Sequence, residues 1–254
     1  QVVNASVVPV VDTTGFISSD YHVHLINSTD SAVTKDERIN TMLAEGIDFF
    51  VASDHDYVTD LSGDVAALGA SSLVKTAISQ EITYFDSGHF GAYPFDPANF
   101  PDATSHTGGA LDWGDATAAP GAGYPSDFSY DLSPDDMASL AKGPPYNAIV
   151  VQANHFNSGT LGYFRVHGID TTVAPPQSST SPSMLRQAPT ANLYTDELTA
   201  LELWIENSRS QNALAIGENL GDWFNMLNNF DSTPGHEKLR KTATFDSDTH
   251  STTV

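Results

Sequence analysis

Residues 47–56 read IDFFVASDHD, and this stretch indicates the fold class. Its apolar part, Ile47 to Ser53, is a short run of the kind that forms a strand buried on both faces. Asp54, His55 and Asp56 follow that run at once. Side chains suited to chemistry at the end of a buried strand are typical of a parallel α/β fold, in which the loops after the strands form one rim.

Helix signals flank this strand. Thr34 fits an N-cap, Glu37 completes a capping box and Gly46 ends the helix. Ser133 followed by Pro134 marks the start of a second helix. Further strands are predicted at 16–22, 73–79, 89–95, 148–153, 201–205 and 241–245, and a third helix at 218–230. Strands that alternate with helices predict mostly parallel pairing, which means a barrel or a doubly wound sheet.

Two stretches interrupt the alternation. Residues 96–130 are rich in Gly, Pro, Ala and Asp, and residues 171–183 are close to low complexity. Both are therefore predicted to be long surface loops. Because neither a repeat nor a shift in composition marks a boundary, we expect a single domain over residues 1–254.

The composition excludes several classes of function. The chain has 32 acidic and 10 basic side chains and a net charge of −22. Such a surface repels phosphate backbones and anionic lipid, so nucleic acid and membranes are not expected partners. A sequence without cysteine offers no disulfide, thiolate ligand or cysteine nucleophile. Low lysine, abundant aspartate and no cysteine favour a secreted or periplasmic protein, with the cytoplasm as the alternative.

Most of the histidines lie at or beside the ends of predicted strands. Together with carboxylates at such positions they are His22, His24, Asp54, His55, Glu81, His89, His155, Asp248 and His250. In the extended segment of His22 and His24, alternate side chains point the same way and can reach one ion. Imidazoles and carboxylates without thiolate suit Zn, Mn or Fe. Since six histidines exceed one tetrahedral site, several ions are more plausible than one.

Each motif taken alone also fits a structural role. His22 and His24 could be exposed to solvent, or buried with their hydrogen bonds satisfied in the core. Residues 54–56 could form a helix cap or a turn. Glu81 could be a solvated carboxylate in the loop after a strand. The histidines without strand-end positions, which are predicted to be structural, are His106, His167 and His236. The joint pattern of strand-end positions favours the metal site.

The motifs together resemble a known superfamily. They are DYHVH (20–24), EGIDFFVASDHD (45–56), SQEITYFDSGHFGAYPF (79–95), VVQANHF (150–156) with GYF (162–164), and DSDTH (246–250). They are similar to the motifs of the PHP superfamily, named for its polymerase-associated and histidinol-phosphatase members. Within it the sequence most resembles the CehA/McbA-type branch, which includes carbaryl hydrolase. The segments LELWIEN and GDWFNMLNN also look like that branch.

This resemblance implies a distorted (β/α)7 barrel with two or three divalent ions at the C-terminal rim of its strands. The implied ligands are His22, His24, Glu81 and Asp248 for the first ion, Glu81 as a bridge with His89 and His155 for the second, and His55 and His250 for the third. Asp30 would be a further ligand of the third ion, at the position where trinuclear members have a histidine. Asp20 and Asp54 would orient ligating imidazoles.

The end of the sequence departs from the family pattern. Only four residues follow His250, whereas relatives usually continue through another strand and helix. The expectation is an isolated domain, a trimmed product, or a domain that lacks its final barrel segment.

Hydrolysis is the chemistry expected of such a site. Two ions would lower the pKa of a bridging water, supply hydroxide as the nucleophile and polarise the scissile P=O or C=O bond. Asp54 or Asp248 is the expected general base. Arg165, next to GYF, is a candidate anion contact for a phosphoester, or else a rim residue that offsets local acidity.

Three functions are compatible with these residues. The first is a metal-dependent phosphoesterase for small phosphomono- or diesters, with promiscuous action on triesters. The second is a carbamate, ester or amide hydrolase of the carbaryl-hydrolase type with the same metals. The third is a non-catalytic metal-binding module of a larger secreted protein. Both enzyme functions predict a small-molecule ester as partner, and the sequence predicts no oligomeric state.

Overall fold

The computed structural model describes residues 14–84, 88–98, 133–144, 146–159, 161–179, 192–205, 209–232 and 239–252. These residues form a mixed α/β fold. Most of the predicted loop 96–130 lies outside them, as do residues 180–183, His106 and His236. None of the helices within the described ranges is long and apolar enough to cross a bilayer.

The elements follow one another in a mixed order of strands and helices. They are β1 (Ser19–Val23), α1 (Lys35–Glu45), β2 (Phe49–Ala52), α2 (Ser62–Ala67), β3 (Lys75–Ala77), β4 (Gln80–Tyr84), β5 (Gly88–Tyr93), α3 (Pro134–Lys142), β6 (Val150–Asn154), α4 (Tyr163–His167), β7 (Ile169–Asp170), β8 (Gln177–Ser178), β9 (Ala200–Trp204), α5 (Arg209–Ser232) and β10 (Thr242–Phe245). Every predicted strand and helix has a counterpart, although α5 begins earlier than predicted.

The first sheet has three parallel strands in the order β1-β2-β3. The predicted cap of α1 is confirmed, because the Thr34 side chain accepts from the Glu37 N–H and the Glu37 side chain accepts from the Thr34 N–H. Gly46 ends this helix in the left-handed region, with φ 74°. The helix buries Ile39 and Met42 in the apolar cluster beneath the sheet, and this burial stabilises it more than helix propensity does.

The second sheet has five strands in the order β10-β9-β6-β5-β4. β6, β9 and β10 pair in parallel, whereas β5 is antiparallel to both of its neighbours. The prediction of mostly parallel pairing is therefore confirmed for the first sheet and for β6, β9 and β10. It is wrong for the pairing of β5 with β4 and with β6. The sequence prediction ended one strand near Glu81, but the chain leaves the first sheet after Ala77 and enters the second at Gln80. No Gly or Pro marks that crossing.

The two sheets meet at the strand ends. Isolated parallel bridges join Val23 to Thr249 and His55 to Glu81, with hydrogen bonds of 3.0 Å from His24 N to Thr249 O and 2.7 Å from Asp56 N to Glu81 O. Among the described residues these bridges take the place of a continuous ladder between the sheets, so the closed (β/α)7 barrel stays a prediction. The first bridge joins the end of β1 to the segment after β10, and the second joins the segment after β2 to β4.

The segment 171–179, predicted as part of a long loop, contains a short strand. β8 pairs antiparallel with β7, and the pair forms a small two-stranded sheet beside α4. At the start of β5, Gly88 has φ 99°, and a Cβ there would lie 2.6 Å from Tyr163 Cα. Only glycine permits this approach of α4 to the strand that carries His89.

Candidate metal centre

The side chains predicted at the strand ends, except Asp54, converge into one cluster. It contains four groups, and within each group the possible ligand atoms all lie within 4.8 Å of one another. The groups are His24–Asp30–His55–His250, His22–His24–Asp248, His22–Glu81–His155 and His55–Glu81–His89. Every side chain predicted as a metal ligand therefore belongs to at least one group.

His22, His24 and Asp248 form the most compact group. The Nε2 atoms of the two imidazoles lie 3.0 Å apart, and each lies 3.2 Å from Asp248 Oδ1. Ligand atoms around a tetrahedral ion with bonds of about 2.0 Å are about 3.3 Å apart. These three atoms are thus spaced as ligands of a single ion, and both imidazoles are fully buried.

Glu81 lies at the centre of the cluster, with no exposed surface. Its Oε1 atom is 3.1 Å from His22 Nε2, 3.4 Å from His89 Nδ1 and 3.7 Å from His155 Nε2. Its Oε2 atom is 2.7 Å from His55 Nδ1. Burial raises the pKa of Glu81, but the surrounding imidazoles outweigh it and hold that pKa well below the usual range. The ionised carboxylate has the position of a bridge between two groups.

Asp30 and His250 belong to the group nearest the solvent, with 50% and 30% of their side chains exposed. Asp30 Oδ2 is 3.2 Å from His55 Nε2 and 3.1 Å from His250 Nε2. The hydrogen bond from His55 lowers the pKa of Asp30 to about 2, so this carboxylate is ionised. Asp30 therefore holds the position expected of a ligand of the third ion.

The division of side chains among the groups differs from the predicted division, and His24 also joins the solvent-side group. Glu81, His89 and His155 were expected to bind the second ion together. In the structure His155 groups with Glu81 and His22, whereas His89 groups with Glu81 and His55. His55 can join two groups because its Nδ1 faces Glu81 and its Nε2 faces Asp30. The assignment of ligands to individual ions stays a prediction.

The cluster fits divalent cations. Within the described part of the chain, the buried atoms Glu81 Oε2, His89 Nδ1 and His155 Nδ1 have no partner in hydrogen-bonding geometry, although Glu81 Oε2 lies 2.7 Å from His55 Nδ1. Unsatisfied buried polar atoms are rare in proteins and call for a partner. A cluster of nitrogen and oxygen donors without sulfur, which contains such atoms, is a set of ligands suited to divalent cations.

The imidazoles of the cluster differ in protonation. Burial disfavours the charged ring of His55, but Glu81 and Asp30 outweigh it and raise the pKa to about 11. At His22 the carboxylates of Asp248, Glu202 and Glu81 likewise overcome burial and raise the pKa. At His24 burial prevails and lowers the pKa to about 4. His22 and His55 therefore carry protons that a cation has to displace.

Backbone strain accompanies the cluster. His155 and Asp248 have φ values of 30° and 49°, and Asp56, next to His55, has 49°. Residues other than glycine rarely adopt this region, and such strain concentrates at functional sites. The unusual backbone conformation occurs directly after β6, at His155, and shortly after β10, at Asp248, where both side chains join the cluster.

Three supporting side chains were not predicted from the sequence. Glu202 Oε1 lies 2.8 Å from His22 Nδ1, and Ser28 Oγ lies 2.8 Å from His24 Nδ1. Asn154 Nδ2 donates to Glu81 Oε1 at 2.8 Å. A carboxylate inside the apolar strand ALELW was a signal that could have identified Glu202. Ser28 and Asn154 carry no comparable signal, because their roles depend on contacts between distant segments.

Arg38 is a fourth unpredicted residue, on α1. It is only 1% exposed, and its guanidinium donates to the carbonyl oxygens of His24, Thr249 and Ser251 at 2.9, 3.0 and 3.2 Å. These carbonyls belong to the segments that carry His24 and His250. Arg38 therefore holds together the two ends of the chain that build the cluster.

Asp20 and Asp54 hold backbone rather than imidazoles. Asp20 Oδ1 accepts from the N–H groups of His22 and Ser247, both at 3.2 Å. Asp54 accepts from the Leu25 N–H at 2.7 Å and from the Thr59 hydroxyl at 2.6 Å. The expectation that these two carboxylates orient imidazoles is therefore replaced by a role in shaping the loops after β1 and β2.

Two further predicted residues lie on α4. The Arg165 side chain is 57% exposed and its Nη1 lies 3.6 Å from Glu218 Oε2, so its contact with an anionic substrate stays a prediction. His167 is buried and packs T-shaped against Tyr163, as expected of a structural histidine.

Comparison with known proteins gives structural neighbours only. No family model and no curated protein matches the sequence. One neighbour is a two-domain protein from Bacteroides vulgatus, described as containing a predicted PHP-like metal-dependent phosphoesterase. It matches with a TM-score of 0.49 and 17% sequence identity, and the match covers 98% of this chain and 57% of the length of the neighbour. A second neighbour is a candidate metal-dependent phosphoesterase from Bifidobacterium adolescentis. It matches with a TM-score of 0.45 and 16% sequence identity, and the match covers 93% of this chain and 88% of the length of the neighbour. Because both TM-scores lie below 0.5, the chemistry of the site rests on its own residues.

Proposed function

We propose that this protein is a metal-dependent hydrolase of phosphoesters. The observation that carries the proposal is the sharing of side chains between neighbouring groups of the cluster. His24, His22, Glu81 and His55 each belong to two groups and link the four into a ring. A site for one ion needs no shared ligands, whereas sites that hold two metals close together are typical of phosphoryl-transfer and hydrolytic enzymes.

Two or three divalent ions, Zn, Mn or Fe, would bind to these side chains. The ligands we propose are His22, His24, Asp30, His55, Glu81, His89, His155, Asp248 and His250. When bound, such ions polarise a phosphoryl oxygen and supply hydroxide from water near neutral pH. The buried Glu81 keeps ligands from both sheets in one place, because it faces His22 and His55, carried by the first sheet, and His89 in β5 of the second.

Asp248 is the better candidate for the general base. Both oxygens of Asp54 already accept hydrogen bonds, from Leu25 and Thr59, so that Asp54 is engaged in the loop. The Asp248 side chain keeps 9% of its surface exposed, and its Oδ1 atom lies 3.2 Å from both His22 Nε2 and His24 Nε2, so it faces the cluster where a proton would be transferred. We propose Asp248 for the proton transfer and Asp54 for positioning.

The finer assignments belong to the same proposal. Small phosphomono- or diesters are the proposed substrates, with Arg165 as a contact for their anionic oxygens. The motifs DYHVH and DSDTH support a (β/α)7 fold of PHP type and the CehA/McbA-type branch. Carbamate or carboxylic ester hydrolysis is the alternative, because a carbonyl oxygen can be polarised by the same ions.

Metal content and substrate preference test the proposal. Protein purified without chelator is analysed for Zn, Mn and Fe, and is then assayed with p-nitrophenyl phosphate, bis-p-nitrophenyl phosphate, carboxylic esters and carbamates. We expect at least two equivalents of metal and preference for a phosphate ester. Less than one equivalent, without activity after addition of Mn or Zn, contradicts an enzyme. Much faster turnover of a carboxylic ester or carbamate overturns the phosphoesterase in favour of the alternative.

A further inference from the structure

We propose that Glu202 is a positioning residue that sets two metal-ligating histidines at once, an inference that rests on the proposed function. Glu202 lies in β9 and has no exposed surface. Its Oε1 atom is 2.8 Å from His22 Nδ1, and its Oε2 atom accepts a hydrogen bond from the backbone N–H of His155. One carboxylate therefore contacts a ligand from the first sheet and a ligand from the second.

The contact with His22 determines which ring nitrogen faces the cluster. A carboxylate accepts hydrogen bonds but cannot donate them, so the proton of the neutral imidazole lies on Nδ1. The lone pair then lies on Nε2, which is 3.1 Å from Glu81 Oε1 and 3.2 Å from Asp248 Oδ1. Glu202 thereby keeps His22 in the tautomer that can bind an ion on the cluster side.

The contact with His155 acts on the backbone. His155 has φ 30°, a conformation that is strained for any residue with a side chain. A hydrogen bond from its N–H to a charged acceptor is stronger than one to a neutral acceptor and helps to retain this conformation. From it the His155 ring reaches 3.7 Å from Glu81 Oε1.

These two contacts predict a selective effect. Glu202 touches two of the three members of the group His22–Glu81–His155. Its hydrogen bonds within the described residues reach no member of the solvent-side group His24–Asp30–His55–His250. Loss of the carboxylate should therefore weaken the inner ions and leave the solvent-side ion unaffected, whereas a general loss of stability would weaken all of them.

Glu202→Gln tests the inference, because the amide keeps the shape but presents a donor to one of its two partners. Glu45→Gln, at the exposed end of α1, is the matched control. Zinc affinity is measured by competition with a chromophoric chelator on metal-depleted protein, and stoichiometry by elemental analysis. We expect zinc binding at the inner ions to weaken by about 10–100-fold in Glu202→Gln, and no change in Glu45→Gln. In an Asp30→Ala background, which impairs the solvent-side group, the same loss should persist.

A second readout follows the His22 ring itself. In zinc-loaded wild-type protein the Nδ1–H proton should give a downfield, slowly exchanging resonance, which should move upfield in Glu202→Gln because the acceptor loses its charge. Unchanged zinc affinity of Glu202→Gln overturns the positioning role, and an unchanged resonance overturns the contact with His22. If Glu202→Gln does not fold, Glu202→Asp takes its place, with the same expected loss and the same contradicting result.

The two proposals can fail separately. Zinc binding by wild-type protein together with normal binding by the Glu202 variant contradicts the positioning role only. Absence of zinc binding by wild-type protein contradicts the proposed function. In that case the His22 proton resonance of the metal-free protein still decides whether Glu202 holds the ring, and its independence from the Glu202 substitution overturns the contact.

Discussion

The Nε2 atoms of His22 and His24 lie 3.0 Å apart, and both face Asp248 Oδ1 at 3.2 Å. Alternate residues of an extended strand point to the same side, which explains how two imidazoles of β1 come together. The carboxylate arrives from the segment after β10, near the other end of the chain. The compact group therefore exists only when both ends of the chain are packed together.

Substitution of His22 is expected to abolish most of the activity. His22→Ala removes a ligand from two of the four groups. Since metal ions contribute several kcal/mol of transition-state stabilisation, we expect kcat/KM for the preferred phosphate ester to fall by at least about 100-fold. His167→Gln, which alters a buried histidine outside the four groups, is the control and should retain its activity per folded molecule. Activity retained by His22→Ala would place the reaction elsewhere.

Removal of metal is expected to destabilise the protein. Without cations several buried polar atoms of the cluster lack a partner in hydrogen-bonding geometry. A ligand present at 100 times its Kd stabilises the folded state by about 2.7 kcal/mol. For a chain of this length that corresponds to a rise in Tm of about 5–10 °C per site. Calorimetry before and after dialysis against EDTA, with zinc added back, measures the shift; an unchanged Tm would argue against structural metal binding.

Metal affinity is expected to rise with pH. The pKa of His55 is raised to about 11 and that of His22 also lies above its usual value, so both rings hold protons at neutral pH in the metal-free protein. An ion has to displace these protons, and each displaced proton changes the apparent affinity by about tenfold per pH unit. Between pH 6 and pH 8 we therefore expect tighter zinc binding at higher pH, accompanied by proton release. Calorimetric titration in buffers of different ionisation enthalpy measures that release, and pH-independent binding would contradict the prediction.

Arg38 is expected to be important for stability. Arg38→Met leaves the buried carbonyls of His24, Thr249 and Ser251 without their charged donor. Loss of charge-assisted hydrogen bonds and unsatisfied acceptors should lower the free energy of unfolding by about 3 kcal/mol. Lys35→Met on the same helix is the matched control, because its partly exposed pair with Asp64 contributes about 0–1 kcal/mol. Urea denaturation compares the two, and equal losses would contradict the role of Arg38.

Arg165 provides a test of substrate charge. If its guanidinium contacts a phosphate oxygen, Arg165→Gln should raise KM for a phosphomonoester by about tenfold through the loss of a charge-assisted hydrogen bond, with kcat nearly unchanged. Lys142→Gln removes another partly exposed cation, which pairs with Glu197, and should leave KM unchanged. Equal KM values for wild type and Arg165→Gln would mean that the pair of Arg165 with Glu218 is its main role.

Local signals in the sequence were sufficient for α1 and for eight of the nine side chains of the cluster, whereas Asp30 was expected only from the family resemblance. The Thr34 capping box and Gly46 act over a few residues, so their effect on α1 could be derived without a tertiary structure. Apolar runs followed by histidines likewise revealed that His24 and His155 directly follow strands, whereas Glu81, expected at a strand end, lies inside β4. The division between β3 and β4 could not be derived, because the chain crosses between sheets without a residue that marks a turn.

Residue types and their spacing were thus enough to identify an α/β chain with a His and carboxylate cluster, because strand ends and ligand chemistry are local properties. Tertiary packing alone decided that β4 and β5 run antiparallel and that Glu81 faces imidazoles from both sheets. It also decided the roles of Glu202 and Arg38, because each acts by contacts with segments far away in the sequence. Contacts of that kind depend on how the sheets meet, and no periodicity along the chain encodes them.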